Sequence, residues 1–439
     1  MEKIELITDI YEPDADDFLS EDERKSLTPQ IIIDRIRALK PLIAAHAQEA
    51  EKKGRPVDKV WKAIRKTGFF YLIQAKRYGG LEATFDEMFD AVMPIAEADP
   101  ATGWVAAFSV MNPRSAAGYP LETQDILFRN NTYMIMTSVI QPIGKAVKAN
   151  GGYRVSGRWA WATTVQVADW VSLVATVQAD DGTTKDWSFL VPRKDIKIAK
   201  TWNAHGLIAT GTHHILAEDV FVPDNCATPS NVVDPAWHDN ALKNYDYPLY
   251  LGPIGPSLSL TIAVPVVGAA RGAIEHATLR LKNHKKRGST VVESSKLTAQ
   301  VRLAQAESVV HAAELLVRDA ARQIYALVGL TPEEQAPGFY QSLARISQST
   351  QLCREAMVIL TQTDGTSMHY VESPLGRAFR DVFTGASHIA VDFDSRMESY
   401  GRMMLGLGPV DRGLLQSRET RDEIKATSAN PFGAVPENA

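Results

Sequence analysis

Between residues 157 and 223 the chain alternates apolar and polar side chains as antiparallel β structure requires, and long helical patterns stand on both sides of it. The stretch opens Gly157-Arg158-Trp159-Ala160-Trp161-Ala162-Thr163-Thr164 and continues through Ala168-Asp169-Trp170 to Trp187-Ser188-Phe189-Leu190-Val191-Pro192. Trp202 to Thr212 follows, and Val220-Phe221-Val222-Pro223 closes it. Trp, Val and Thr are enriched, and Gly or Asp-Asp-Gly punctuation recurs roughly every eight to twelve residues, as strands and tight turns demand. A β block set between two helical blocks narrows the fold more than any single motif in the chain.

Upstream, residues 1 to 27 are acidic and poor in aromatics. Asp14, Asp16, Asp17, Glu21, Asp22 and Glu23 crowd together there, and the segment reads as a loosely held lead-in rather than an acidic docking arm. Helical periodicity begins near Pro29, where Ile31, Ile32, Ile36, Leu39, Leu42 and Ile43 form one apolar stripe. A second helix runs from Val57 to Lys66 and stops at Thr67-Gly68. Thr84 N-caps a third, and Asp99-Pro100 starts a fourth that carries Trp104, Val105, Phe108 and Met111. Residues 28–130 are therefore assigned to an N-terminal helical domain and 131–235 to a middle antiparallel β domain. Residues 236–250 read as a linker.

Helices return in 251–439, as a C-terminal four-helix bundle and tail: Leu260 to Lys286, Lys296 to Val328, Phe339 to Gln362, and a fourth beginning at Gly376. The longest apolar run, Leu258 to Ala270, contains Pro265, which is expected to break it and leave it too short to span a bilayer. The fold class is α+β.

A formal net charge of −5 gives no electrostatic case for nucleic acid or an anionic membrane as partner. Cys226 and Cys353 are the two cysteines, too few for a disulfide framework. No basic, apolar signal region follows Met1, so the expected setting is the reducing cytoplasm. No metal site is expected either: His213 and His214 are adjacent strand residues that point to opposite faces, and no His-Glu-x-x-His occurs.

Several local sequences, in order, carry a resemblance. They are Gly68-Phe69-Phe70, Tyr78-Gly79-Gly80, Ala96 to Trp104, Gly157-Arg158-Trp159, Gly206 to Thr212, Arg380-Asp381 to His388, and Tyr400-Gly401-Arg402. Over residues 30 to 410 the chain resembles the acyl-CoA dehydrogenase fold. Within that fold it is similar to the oxygenase components of two-component flavin-dependent monooxygenases, related to p-hydroxyphenylacetate 3-hydroxylase and dibenzothiophene monooxygenase. The resemblance implies a reduced flavin, FMNH2 or FADH2, supplied by a separate NAD(P)H:flavin reductase. It implies reaction with O2 to a C4a-hydroperoxyflavin, transfer of one oxygen to an aromatic or heteroaromatic small molecule, and a homotetramer. The lack of a Gly-x-Gly-x-x-Gly segment after a strand agrees, since it leaves no sign of a nicotinamide-binding domain.

The same resemblance assigns residues. Trp161 and Thr163 match a segment lying along the flavin ring, where an aromatic wall excludes water and a hydroxyl bonds the N5 edge. The alternative is that both simply pack the β core. Thr137 and Ser138, before Gln141-Pro142-Ile143-Gly144, match a second flavin-edge segment, or else a turn. His388 matches the histidine that faces substrate and flavin, where an imidazole exchanges or donates a proton. Arg287 stands where a phosphate-binding arginine is expected, or is a favourable cation at a helix C-terminus. Arg271, among apolar neighbours, needs a carboxylate or a flavin phosphate as partner. Gly365 and Thr366 are expected from the resemblance to form a turn that contacts a neighbouring subunit's flavin. Asn112 and Val167 replace two histidines that phenol-hydroxylating members use to bind and deprotonate substrate, which favours an indole, a fused heteroaromatic or a polyketide-like aromatic over a phenol.

The competing reading is an acyl-CoA dehydrogenase with bound FAD, which needs a carboxylate base. Phe383-Thr384-Gly385-Ala386-Ser387-His388 contains none, and Glu275 or Glu293 on other helices would have to supply it.

Overall fold

The main helices of the first block start where a side chain satisfies free amides. Thr28 caps α2 (Pro29–Lys53), Thr84 and Glu87 form a reciprocal capping box on α4 (Phe85–Ala98), and Asp99 caps α5 (Pro100–Val110). With the short α1 (Glu21–Lys25), α3 (Asp58–Lys66), α6 (Asn112–Ala116) and α7 (Leu121–Leu127), these make the first block. The computed structural model describes residues 4–129, 133–178, 182–229, 235–285 and 290–408.

The acidic N-terminal segment is not a loose lead-in. Leu6 pairs with Ala199, the Ile7 N–H donates to the Ile198 carbonyl (2.9 Å), and the Tyr11 N–H donates to that of Gln166 (2.8 Å). Its acids meet cations far away in sequence. Asp9 holds the buried Arg55 at 2.6 Å, Glu12 holds Arg193, and Asp14 holds Lys62 at 2.8 Å. The guanidinium of Arg65 lies 5.1 to 5.4 Å from the ring centres of Tyr133, Tyr11 and Phe18, a cation–π cage that half belongs to this segment. Composition suggested a solvated arm because the matching cations are invisible to local reading.

The middle block is a sheet in the order β5-β6-β2-β1-β3-β4-β7. Its strands are β1 (Met136–Ala149), β2 (Gly152–Ala162), β3 (Trp170–Gln178), β4 (Thr184–Pro192), β5 (Lys197–Ala199), β6 (His213–Pro223) and β7 (Ala227–Thr228). Asn150-Gly151 closes the β1–β2 hairpin, with Gly151 at a φ of 73°. The sheet is mixed rather than wholly antiparallel. After β2 the chain crosses to the far side of β1, so β3 pairs parallel to β1 from Met136↔Trp170 onward. Alternation in sequence reports which face a residue takes, not the direction of the neighbouring strand.

The expected linker is also structured. α8 (Pro235–Asn244) and α9 (Pro248–Leu251) pack onto the first block, with Trp237 buried against Tyr119 at 4.6 Å and its indole N–H donating to the Ser115 carbonyl (3.1 Å).

α10 (Ile254–Asn283) runs unbroken through Pro265. By length and composition it is the one helix among the described residues that suits a membrane span, yet most of it is buried inside the protein. Gly268 and Gly272 bring it onto α4: a Cβ at Gly272 would lie 2.2 Å from the Glu97 carbonyl oxygen. The first block and the bundle thereby share one core. α11 (Leu297–Ala326) and α12 (Pro332–Asp364) are the other long helices, and two short ones, α13 (Pro374–Gly385) and α14 (Phe393–Met404), take the place of a long fourth.

Because Trp237 fills a site rather than bridging two domains, Trp237→Ala is expected to cost about 3–5 kcal/mol in urea unfolding. A loss below about 1 kcal/mol would mark residues 235–250 as a loose connector after all.

Candidate active site

The end of β2 departs from ideal strand geometry where the resemblance put the flavin. The β2–β6 register shifts between Trp159 and Ala162, and Trp161 and Thr164 take φ values of 61° and 74°. Non-glycine residues in this region cost about 1–3 kcal/mol each and persist where the surroundings or a function demand them. The kink leaves the Trp161 side chain 44% exposed and Thr163 half-buried beside it. β1 breaks its pairing with β3 between Val139 and Gly144, and the buried Thr137 hydroxyl donates to the Thr163 carbonyl at 2.5 Å. Ser138 is exposed next to it. Gln141 Oε1 and Thr164 Oγ1 are buried acceptors with no partner among the described residues. Strained backbone, an exposed indole and unsatisfied polar atoms in one corner suit a flat, polar-edged ring such as a flavin.

The loop from β5 to β6 links this corner to the bundle. The Thr163 and Thr212 hydroxyls lie 3.0 Å apart, Thr212 and Thr210 lie 2.8 Å apart, and Thr210 donates to the Leu207 carbonyl at 2.8 Å. Leu207 is held at a φ of 52°, and its N–H donates to Asp381 Oδ1 of α13 at 2.5 Å. A Cβ on Gly206 would lie 2.2 Å from the Arg380 carbonyl oxygen, so loop and helix meet backbone to backbone. Arg380 donates to the His205 carbonyl at 3.1 Å and pairs with Glu51 of α2, which Arg377 also contacts at 3.2 Å. Burial, reinforced by Asp99 and Glu51, pushes the Asp381 acid up to about 7.

His388 follows α13 rather than lying within it. Its Nδ1 accepts the Ala390 N–H at 3.1 Å, so in the neutral ring the proton is on Nε2. The ring packs 6.0 Å from that of Trp104, which stacks on Phe108 at 5.5 Å. Burial lowers the imidazole pKa to about 4, making it a neutral hydrogen-bond donor. Gly385 permits this approach, because a Cβ there would lie 2.9 Å from Trp104. Ser259 and Ser347 fix the segment by donating to the carbonyls of Ala390 (3.2 Å) and Val391 (2.7 Å).

The remaining candidates divide. Asn112 Oδ1 accepts the Met136 N–H at 2.7 Å and so ties α6 to β1, while Val167 is buried and apolar. Arg271 finds carboxylates, Glu97 at 2.8 Å and Glu314 at 2.7 Å, in place of a flavin phosphate. With Arg37, Lys40, Asp90, Met93, Pro94 and Glu97 it lines a separate cleft of about 290 Å³. Gly365 and Thr366 are exposed at the end of α12. Arg287 lies outside the described residues. Glu275 pairs with Lys40 at 2.9 Å and Glu293 with Lys296 at 2.6 Å. Sequence reasoning missed Thr210 and Thr212 as a hydroxyl line and gave Asp381 no role. Thr210-Gly-Thr212 was visible, but its partner Thr163 lies on another strand.

The raised Asp381 acid has a consequence for stability. Its folded value exceeds the ordinary 3.8, so its contribution grows as pH falls through about 7 and is lost above it. Asp381→Asn keeps the acceptor for Leu207 but not the titration. Its melting temperature relative to wild type is expected to be higher at about pH 8 than at about pH 5.5. A difference independent of pH would show the carboxyl ionised throughout.

Comparison with known proteins agrees with this geometry. A family described as "Acyl-CoA dehydrogenase, C-terminal domain" matches residues 260–393. The flavin-dependent monooxygenase oxygenase subunit HsaA of Rhodococcus jostii is 32% identical over 385 residues, covering 86% of this chain and 99% of that protein. A pigment production hydroxylase of Rhodococcus sp. is 30% identical over 390 residues, covering 89% of this chain and all of that protein. The structure of XiaF from Streptomyces sp., in complex with FADH2 and glycerol, superposes with a TM-score of 0.80 at 26% identity, over 90% of this chain and 99% of that one. Likeness at this identity and over this length places the protein in the family of flavin-dependent monooxygenase oxygenase subunits built on the acyl-CoA dehydrogenase fold.

Proposed function

We propose that this chain takes reduced flavin from a separate reductase and hydroxylates a neutral aromatic or heteroaromatic small molecule held between the Thr163 corner and His388. The observation that carries the reading is the Asp381–Leu207 tie, which connects the kinked end of β2 to the segment bearing His388. Bound reduced flavin supplies two electrons to O2, so that one oxygen enters a substrate C–H bond and the other leaves as water. The chain's own residues do the rest. With flavin bound, Trp161 would cover the ring and keep bulk water off it, and Thr163 would meet its N5 edge. Trp104 and Phe108 offer an aromatic wall to a flat substrate. His388 donates from Nε2 toward substrate or the reacting oxygen, where a fixed donor stabilises developing negative charge.

The form of substrate follows from what surrounds it. Asn112 is committed to the Met136 N–H, Val167 is apolar, and His388 presents a donor. None of the three is suited to remove a phenolic proton, which supports an indole-like or fused heteroaromatic ring. Arg287 is retained as the proposed phosphate ligand. Gly365 and Thr366 are proposed to complete a neighbouring subunit's site in a homotetramer; exposed Leu297, Val301, Leu315, Tyr370 and Val371 give the bundle an apolar face for that contact. Cys226 and Cys353 are both free and buried, which suits a reducing cytoplasm.

Supplying photoreduced flavin, O2 and a panel of aromatic substrates should give hydroxylated product, and oxidised flavin should give none. His388→Ala is expected to retain flavin binding while the hydroxylation rate falls about a hundredfold and H2O2 replaces product. Unchanged coupled turnover would remove His388 from the mechanism. A sedimentation mass near 48.3 kDa would remove the tetramer.

A further inference from the structure

Three threonine hydroxyls run in line from Leu207 to Thr163, and the position of each hydrogen in that line is determined. Thr210 Oγ1 lies 2.8 Å from the Leu207 carbonyl oxygen, which has no proton to give, so Thr210 is the donor. Thr210 then has no hydrogen left for Thr212, 2.8 Å away, and Thr212 must donate to it. Thr212 has now spent its own hydrogen, so Thr163 donates to Thr212 across 3.0 Å. Any other arrangement sets two oxygens at hydrogen-bond distance with no hydrogen between them. Thr210 and Thr212 are buried, at 3% and 7% exposure, and cannot turn to solvent instead.

Both ends of the line are fixed. The Leu207 carbonyl also accepts the Trp202 indole N–H (3.0 Å), and the Leu207 N–H is held by Asp381. The Thr163 carbonyl accepts from Thr137 at 2.5 Å, and its N–H donates to the Trp161 carbonyl at 3.0 Å. Thr163 Oγ1 is left with lone pairs alone, made more basic by the hydrogen bond it donates.

We propose that Thr210 and Thr212 are positioning residues that make the Thr163 hydroxyl an obligate acceptor, so that the site selects a ring edge carrying an N–H. The proposal rests on the reading that Thr163 meets the flavin's N5 edge. Reduced flavin has a hydrogen on N5 and completes a bond with such an acceptor. Oxidised flavin presents a lone pair there, which the Thr163 oxygen repels. The relay therefore separates two redox states of one ring by the direction of a single hydrogen bond. An oxygenase that must accept reduced flavin and release the oxidised form needs that separation.

The test is equilibrium binding of dithionite-reduced and of oxidised flavin to the full chain under argon, with FAD and FMN titrated separately. Wild type is expected to prefer the reduced form by about tenfold or more, the weight of one hydrogen bond. Thr212→Val frees the Thr163 hydrogen to face N5, and Thr210→Val lets the line reverse. Each is expected to lower the oxidised-to-reduced Kd ratio about tenfold, chiefly through tighter binding of oxidised flavin, and Thr212→Ser should restore the wild-type ratio. A ratio unchanged in both valine variants, with reduced flavin still bound, overturns the proposal. So does equal affinity of wild type for the two forms, which remains decisive if the valine variants do not fold. Failure of wild type to bind either flavin in either state would instead overturn the proposed function beneath it.

Discussion

Asp381 accepts a hydrogen bond from the Leu207 amide in the interior, and three blocks of the chain meet at that bond. Leu207 belongs to the loop between two strands, Asp381 to a short bundle helix, and the adjoining Arg377 and Arg380 reach Glu51 on the long helix of the first block. A buried carboxyl is costly as an anion, so burial near Asp99 and Glu51 keeps it protonated into the neutral range. The protonated acid still accepts from Leu207. The junction thus holds without a fully desolvated charge at its centre.

The two halves of the site hang from this junction in opposite directions. Toward the sheet, the left-handed Leu207 turns its carbonyl to Thr210 and starts the line of hydroxyls that ends at Thr163. Toward the bundle, α13 leads within one turn past Gly385 to His388, whose ring meets Trp104. Trp161, Thr164 and Leu207 are three of the five non-glycine residues with positive φ among those described. Their concentration here marks a site where packing over-determines strained backbone in order to place side chains.

The charged residues outside this junction are mostly structural. Arg271, Lys40, Glu97, Glu275 and Glu314 form one network between α2, α4, α10 and α11, and Arg318 extends it to Asp86 and Asp90. The same network ties Glu275 to Lys40. What distinguishes this oxygenase from a thioester dehydrogenase is the missing acid before His388.

Local pattern in the chain was enough for the helix starts at Pro29, Phe85 and Pro100, the strand-rich centre and the order of blocks, whereas Trp161 and Thr163 were singled out by the family resemblance. Caps, alternation and turn residues act within a few positions of one another, so a linear reading can find them. Folding in three dimensions decided the rest: that the acidic N-terminus docks because Arg55, Lys62 and Arg193 come to meet it, that β3 lies parallel to β1, that Pro235–Asn244 and Pro248–Leu251 are helical, and that α10 passes through Pro265. It also decided which neighbour each ambiguous polar group received, giving Arg271 carboxylates, Asn112 a backbone amide and Thr163 a chain of hydroxyls. Those outcomes depend on partners tens to hundreds of residues away, and hydrogen-bond direction and burial exist only once the partners have met.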